Sequence, residues 1–227
     1  MALPICQQII DDTALEFGDP GKAKIPQATW LLWYNEAREQ ITRDYHVLEQ
    51  DAAHDLSANE DRYVYPDDCV QMSRWRYNAT PSDPNTYLEA GELFEDEFRE
   101  IVAIQTPTGD SGFRYWARPM FFQITPKPTT GVLGGGLITY WMLAARLEAG
   151  NETTTDFDLP PAMRRLVVRL MLIFAKERLH RYEEAARDRV SWEMDMAKAY
   201  ERVEDRSDDR RPRLRLETAK RPYQGMV

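Results

Sequence analysis

The chain has 227 residues, and its 29 Lys and Arg residues against 38 Asp and Glu residues give a net charge of −9. Six Trp, eleven Tyr and eight Phe residues are too many for a disordered chain, so we expect one folded domain with a sizeable core. The acidic excess argues against a protein that coats nucleic acid, because such a protein needs a basic face. Two cysteines do not make a disulfide framework, and neither a signal peptide nor a membrane span is apparent, so we expect a soluble protein made in the cytoplasm.

The N-terminal part predicts two helices. Leu3–Phe17 is a short helix that Gly18 ends, and a longer helix follows from Pro26 to Leu48. The longer helix has one apolar stripe, for which a packed core is a better explanation than a binding face. The stripe comprises Trp30, Trp33, Tyr34, Ala37, Ile41, Tyr45 and Leu48.

The middle of the chain predicts a small mixed sheet that carries one helix. The helix candidate is Leu88–Ile104, which is acidic and amphipathic. The glycine-rich stretch Gly131–Gly136 predicts a flexible loop tip between two strands. The strand candidates are Tyr63–Tyr65, Met72–Tyr77, Phe113–Ala117, Met120–Thr125 and Leu137–Leu147.

The last third predicts a long helix that begins at Asp158–Pro161 and continues to Asp205. One unbroken helix over 161–205 would be about 67 Å long, more than the width of a small domain. We therefore expect either a break near Leu179–Tyr182 or packing of one part on another chain. The predicted fold class is mainly α: an α-helical bundle over 1–209, with a small inserted β-sheet or hairpin region at about 62–147 and an extended C-terminal arm.

The arm, residues 210–227, inverts the charge of the rest of the chain. Its net charge is +5, which leaves −14 for the remainder. The alternation in Arg213-Leu214-Arg215-Leu216 suits an extended strand, but no partner strand is close in sequence. Two interpretations stay open: a frayed terminus, or an arm that adds as a strand to a neighbouring acidic subunit.

The sequence contains no constellation that indicates an active site. Gly109–Gly112 and His54 match fragments of a serine-protease motif, but Phe113 stands where that motif requires a glycine. The stretch Gly131–Gly136 lacks the Lys-Ser/Thr end of a phosphate-binding loop. Histidines and cysteines are scarce and lack metal-ligand spacing, so we predict no catalytic residue, cofactor or metal.

The order of the elements and three short motifs resemble the head-to-tail adaptor (connector) proteins of tailed bacteriophages. Ile124-Thr125-Pro126-Lys127-Pro128 is a strand with a Pro-x-Pro turn, and Leu137-Ile138-Thr139-Tyr140-Trp141 is a second strand with an aromatic end. Phe157-Asp158-Leu159-Pro160 then opens the long helix. The match covers residues 123–147 and 156–200.

The resemblance implies a structural virion protein that is not an enzyme. Such proteins form a homo-oligomeric ring, usually of twelve copies, in the neck between the capsid portal and the tail. The ring binds the portal protein and the tail or nozzle proteins, and DNA passes through its channel without sequence-specific binding. An acidic channel would repel phosphates, which would let DNA slide.

The resemblance also implies roles for two segments. The portal-docking arm would comprise Arg210, Arg211, Arg213, Leu214, Arg215, Leu216, Lys220 and Arg221. A loop facing the tail or a neighbouring subunit would comprise Pro126, Lys127, Pro128, Gly134, Gly135 and Gly136.

Three alternatives stay open. The first is a tail-completion or neck protein of the same particle. The second is a nucleic-acid or regulatory binding module that uses Arg74, Arg76 and the basic arm, and it predicts strongly salt-dependent binding. The third is an enzyme whose site is assembled from dispersed residues, and it predicts a deep pocket with convergent polar groups and shifted carboxyl pKa values.

Overall fold

The computed structural model describes residues 5–78, 86–104, 108–109 and 112–204. Within these ranges the helices are α1 (Cys6–Glu16), α2 (Gln27–Tyr45), α3 (Glu95–Ile104), α4 (Arg164–Arg178) and α5 (Tyr182–Glu204). The strands are β1 (Glu49–Leu56), β2 (Arg62–Val64), β3 (Cys69–Asn78), β4 (Tyr87–Glu89), β5 (Gly91–Glu92), β6 (Arg114–Ala117), β7 (Phe121–Thr125) and β8 (Val132–Met142).

Helices α1, α2, α4 and α5 pack around one apolar core. The aromatic stripe of α2 lies in this core: Trp30 and Tyr34 are fully buried, and the Trp30 and Trp33 rings meet edge to face with centroids 5.2 Å apart. The Trp192 indole of α5 donates a hydrogen bond of 2.8 Å to the Leu166 carbonyl of α4. The prediction that the stripe is core is confirmed.

The predicted long helix is broken. α4 ends at Arg178, and His180 has a left-handed φ of 59°, so the chain reverses before α5 begins at Tyr182. α5 then runs antiparallel to α4, and the ion pairs Lys176–Asp188 and Arg169–Asp195 join the two helices. Of the two alternatives that the sequence left open, the structure confirms the break near Leu179–Tyr182.

The strands form two four-stranded sheets, in the orders β1-β8-β3-β4 and β2-β7-β6-β5. The sheets share an aromatic core in which the Trp75 ring of the first sheet lies 5.7 Å from the Phe122 ring of the second. Tyr115 and Phe113 also meet Trp75 edge to face. The strand region is therefore a sandwich with a core of its own.

The predicted fold class, a mainly α bundle with a small inserted sheet, is wrong because of this sandwich. Strand β1 was missed because its sequence, EQDAAHDL, is rich in acids and alanine, which have low strand propensity. The predicted loop tip Gly131–Gly136 is also wrong over most of its length, since β8 begins at Val132 and includes Gly134, Gly135 and Gly136. A Cβ atom on Gly136 would lie 2.1 Å from His54 Cε1, so glycine is what allows the His54 ring to pack there.

Side chains of α2 hold the segment that leaves β8. The Asn35 amide exchanges two hydrogen bonds of 3.0 Å with the backbone of Leu147, and Thr42 Oγ1 accepts one of 3.1 Å from the Ala144 N–H. Between them, Arg38 donates a hydrogen bond of 3.1 Å to the Ala145 carbonyl. These contacts, here called the α2 seam, join the sandwich to the helical layer, which consists of α1, α2, α4 and α5.

Candidate assembly surfaces

The predicted Pro126-Lys127-Pro128 turn packs against its own chain. The Gly109 N–H donates to the Lys127 carbonyl at 2.9 Å, and the Asn59 N–H donates to the Pro128 carbonyl at 2.8 Å. The Lys127 ammonium lies 3.2 Å from an Asp61 carboxylate oxygen. The turn therefore has a fixed shape, and its role toward the tail or a neighbouring subunit stays a prediction.

The glycines of the same predicted loop lie beside β1. Gly134 has a φ of 59°, its N–H donates to Asp55 Oδ1 at 2.7 Å, and its carbonyl accepts from the Tyr87 hydroxyl at 2.7 Å. The neighbouring Leu133 is largely exposed. Of the predicted loop, Pro126–Pro128 therefore form a packed turn, and Gly134–Gly136 lie near the beginning of β8.

The predicted arm, Arg210–Arg221, lies outside the described residues. α5 reaches Glu204, and near its end the Tyr200 ring lies 6.4 Å from the ring of Tyr45, the last residue of α2. The chain thus leaves the described part close to the point where α2 leads into β1.

His54 belongs to the sandwich core. Its ring lies 5.1 Å from the Tyr63 ring and 5.6 Å from the Phe122 ring, and neither ring nitrogen has a hydrogen-bond partner among the described residues. Burial lowers the pKa of His54 to about 4. The Ser111 of the protease-like motif lies outside the described residues, and the surroundings of His54 are those of a packed aromatic core.

Two open grooves, of about 500 and 400 Å³, lie on the described surface of the helical layer. The larger lies between α1, α4 and α5 and is lined by the ion pairs Arg164–Asp12 and Lys176–Asp188. In the smaller, a hydrogen bond from Arg146 holds the pKa of Glu39 below its usual range. Both grooves are open and contain ion pairs, whereas the enzyme alternative predicts a deep pocket with convergent polar groups.

The described ranges contain no group of three or more His, Cys, Asp or Glu side chains that could hold a metal ion. The same ranges contain no helix that is both long enough and apolar enough to span a lipid bilayer.

The arginines of the nucleic-acid alternative are paired on the outer face of the first sheet. Arg76 lies 2.9 Å from a carboxylate oxygen of Asp51, and Arg74 lies 3.5 Å from one of Glu89. The sheet face at these arginines is therefore not the unopposed basic surface that phosphate binding requires.

A family model described as SU10 adaptor protein matches residues 5–217. The chain belongs to this family. The match spans the helical layer and the sandwich and extends into the arm, and it confirms the resemblance to phage head-to-tail adaptors. No curated protein matches the sequence. The protein is thus a bacteriophage adaptor, a structural component of the virion.

The adaptor exposes an apolar stripe along α5. Ala185, Trp192 and Met196 face the helical core, whereas Tyr182, Val190 and Met194 point away from it and are 59, 61 and 60% exposed. Ala186 and Ala197 are also exposed and continue the outward side. The α5 stripe is here defined as Tyr182, Ala186, Val190, Met194 and Ala197.

Proposed function

We propose that the adaptor assembles into a ring in the neck of the virion, where it joins the portal to the tail and lets DNA pass through its channel. The observation that carries the proposal is the α5 stripe, because exposed apolar side chains such as Val190 and Met194, aligned along one side of a helix, are typical of a subunit interface. A heterologous contact of this kind closes into a ring when the rotation between subunits permits it.

The family resemblance and the charge distribution support the other parts of the proposal. The arm has a charge of +5 and the rest of the chain −14, so each subunit combines an acidic body with a basic extension. The arm docks on the portal, and the packed turn Pro126–Pro128 faces the tail or the next subunit. The acidic body limits attachment of DNA to the channel wall.

Assembly with purified portal protein tests the ring. We expect mass photometry and electron microscopy to show adaptor rings on the portal, whereas an adaptor that never joins the portal would contradict the proposal. Binding to purified tail proteins instead would favour the tail-completion alternative.

A pair of double variants tests the α5 stripe. Val190→Asp with Met194→Asp should reduce ring assembly at least about tenfold, because it places charge in an apolar interface. The matched control is Phe94→Asp with Met120→Asp, two largely exposed apolar residues of the strand-rich half that should leave assembly unchanged. Thermal unfolding of both variants checks that the subunit stays folded. If the two double variants assemble equally well, the α5 stripe is not part of the subunit interface.

Deletion of Arg210–Val227 tests the arm. The truncated adaptor should lose portal docking and still unfold cooperatively, because the helical core and the sandwich core lie within the described residues. The measurements are co-sedimentation with the portal and differential scanning calorimetry. Normal docking by the truncated protein would contradict the role of the arm.

A further inference from the structure

Strand β1 is an open edge of the first sheet. It pairs with β8 along one side, in a register that runs from Glu49 opposite Trp141 to Leu56 opposite Val132. Within the described residues the sheet has no strand on its other side. An edge of this kind presents unpaired N–H and C=O groups and can receive an added strand.

The outer face of β1 is acidic. Glu49, Asp51 and Asp55 are separated by two and by four positions, with an alanine at the same-face position between the last two, and therefore share one face of the strand. The opposite face carries Ala52 and Leu56, which belong to or pack against the core of the sandwich. A strand that fits this edge would have basic residues on one side and apolar residues on the other.

Acids of β4 and β1 flank the two arginines of β3 on this face of the first sheet, and Thr139 of β8 lies between Arg76 and Asp51. Glu89 of β4 pairs with Arg74 of β3, and Arg76 of β3 pairs with Asp51 of β1. Of these charged residues, the one nearest the open edge is therefore an acid, Asp51. A carboxylate can accept several hydrogen bonds at once. A cation on an added strand would lie on the other side of Asp51 from Arg76.

The C-terminal arm has the matching pattern. Arg211, Arg213 and Arg215 alternate with other residues, so that they share one face of an extended strand, and Leu214 and Leu216 share the other. Added beside β1, the arginines would face the acidic side and the leucines would extend the apolar side. Opposite charges directly across neighbouring strands stabilise their pairing.

The end of α5 brings the arm to this edge. Tyr200 contacts Tyr45, and β1 begins at Glu49, four residues after Tyr45. Glu204 is one helical turn beyond Tyr200, and the six residues 205–210 can span about 20 Å when extended. The arm can therefore reach the edge of its own subunit and run along it in the direction of β1.

We propose that in the free subunit residues 211–216 add as a strand to the open edge of β1 in their own chain. The edge is then covered, and the arm is held against an acidic surface rather than exposed. An arm that binds elsewhere must first leave β1, so any other partner of the arm competes with this contact. The proposal concerns the subunit alone and does not depend on the ring or on the portal.

Hydrogen–deuterium exchange of the purified full-length protein, without portal, tests the proposal against the variant truncated after Asp209. We expect alternate amides of β1 to exchange about tenfold more slowly in the full-length protein. Addition of excess synthetic peptide 209–219 to the truncated protein should restore the protection. Equal exchange of β1 in the two proteins would overturn the proposal.

Two charge-matched variants test the pairing of charges. Arg213→Glu with Arg215→Glu should abolish the protection of β1, whereas Lys220→Glu with Arg221→Glu changes the net charge equally and should preserve it. The same effect in both variants would overturn the proposal. If the protection of the β1 amides disappears when the full-length protein is diluted, the edge binds the arm of a second copy. That result would also overturn the proposal.

Discussion

Replacing Asp158 with alanine should lower the free energy of unfolding by about 2 kcal/mol, because it leaves the buried Arg38 guanidinium without its counterion while water can reach the 37% exposed Asp158 side. Arg38 is 2% exposed, its Nε donates to Asp158 Oδ1 at 3.1 Å, and its Nη2 donates to the other carboxylate oxygen. Its remaining nitrogen donates to the Ala145 carbonyl. Urea unfolding followed by circular dichroism measures the change.

A double-mutant cycle separates the buried charge from a general loss of packing. Arg38→Met with Asp158→Ala should be more stable than Asp158→Ala alone, because the double variant buries no unpaired charge. Asp12→Ala is the control: Asp12 and its partner Arg164 are both substantially exposed, so the loss should stay below about 1 kcal/mol. A double variant that is less stable than Asp158→Ala would contradict this account.

The spacing of apolar residues within a single helix was sufficient to predict much of the helical core. The stripe containing Trp30, Tyr34 and Ile41 is encoded within one helix, and its 3.6-residue spacing indicated a core face that the structure confirms. Arg38 lies in the same helix and is also buried, yet no local signal indicates this. Its partner Asp158 is 120 positions further along the chain, and the need for burial arises from that distant contact.

The strand region shows why the fold class was wrong. β1 has little intrinsic preference for a strand, and it is held by pairing with β8, which lies far away in sequence. The glycines of β8 resemble a loop because glycine is rare in strands, but Gly136 provides the space that the His54 ring occupies. Both features depend on contacts between distant segments.

The candidate surfaces were predicted in part. Apolar residues are spaced more widely along α5 than along α4, and consecutive helical residues differ by about 100° in direction. Val190 and Trp192 therefore lie on nearly opposite sides, one exposed and one buried. The acidic face of β1 could not be recognised until β1 itself was known to be a strand.

The α2 seam has a consequence for the proposed ring. α5 lies in the helical layer, and the side chains of Asn35, Arg38 and Thr42 bind the segment that leads out of the sandwich. In a ring built through the α5 stripe, this seam would hold each sandwich at a defined orientation to the ring. Asp158 holds the Arg38 side chain of this seam in place, so its loss should impair ring formation as well as the stability of the subunit.

The stability of the adaptor should fall by about 3 kcal/mol as the pH decreases from 6.5 to 4, through His54. Burial of its ring lowers the folded pKa from 6.5 to about 4, an effect that the nearby Asp55 opposes without overcoming. Between these values the unfolded chain binds more protons than the folded chain. The contribution of neutral His54 is therefore fully present above pH 6.5, and it is lost as the pH falls toward 4.

Comparison with His54→Phe isolates this effect, because phenylalanine suits the same aromatic surroundings and does not titrate. Burial also lowers the pKa of His46, so the wild-type protein and His54→Phe should share that smaller dependence and differ by the part due to His54. Asp19, Glu39 and Glu184 have lowered pKa values, so their contributions disappear at lower pH, as the pH falls through those values. Urea unfolding at half-unit intervals between pH 4.5 and 7 gives the slopes. A His54→Phe variant with the same slope as the wild-type protein would show that His54 does not remain neutral in the folded core.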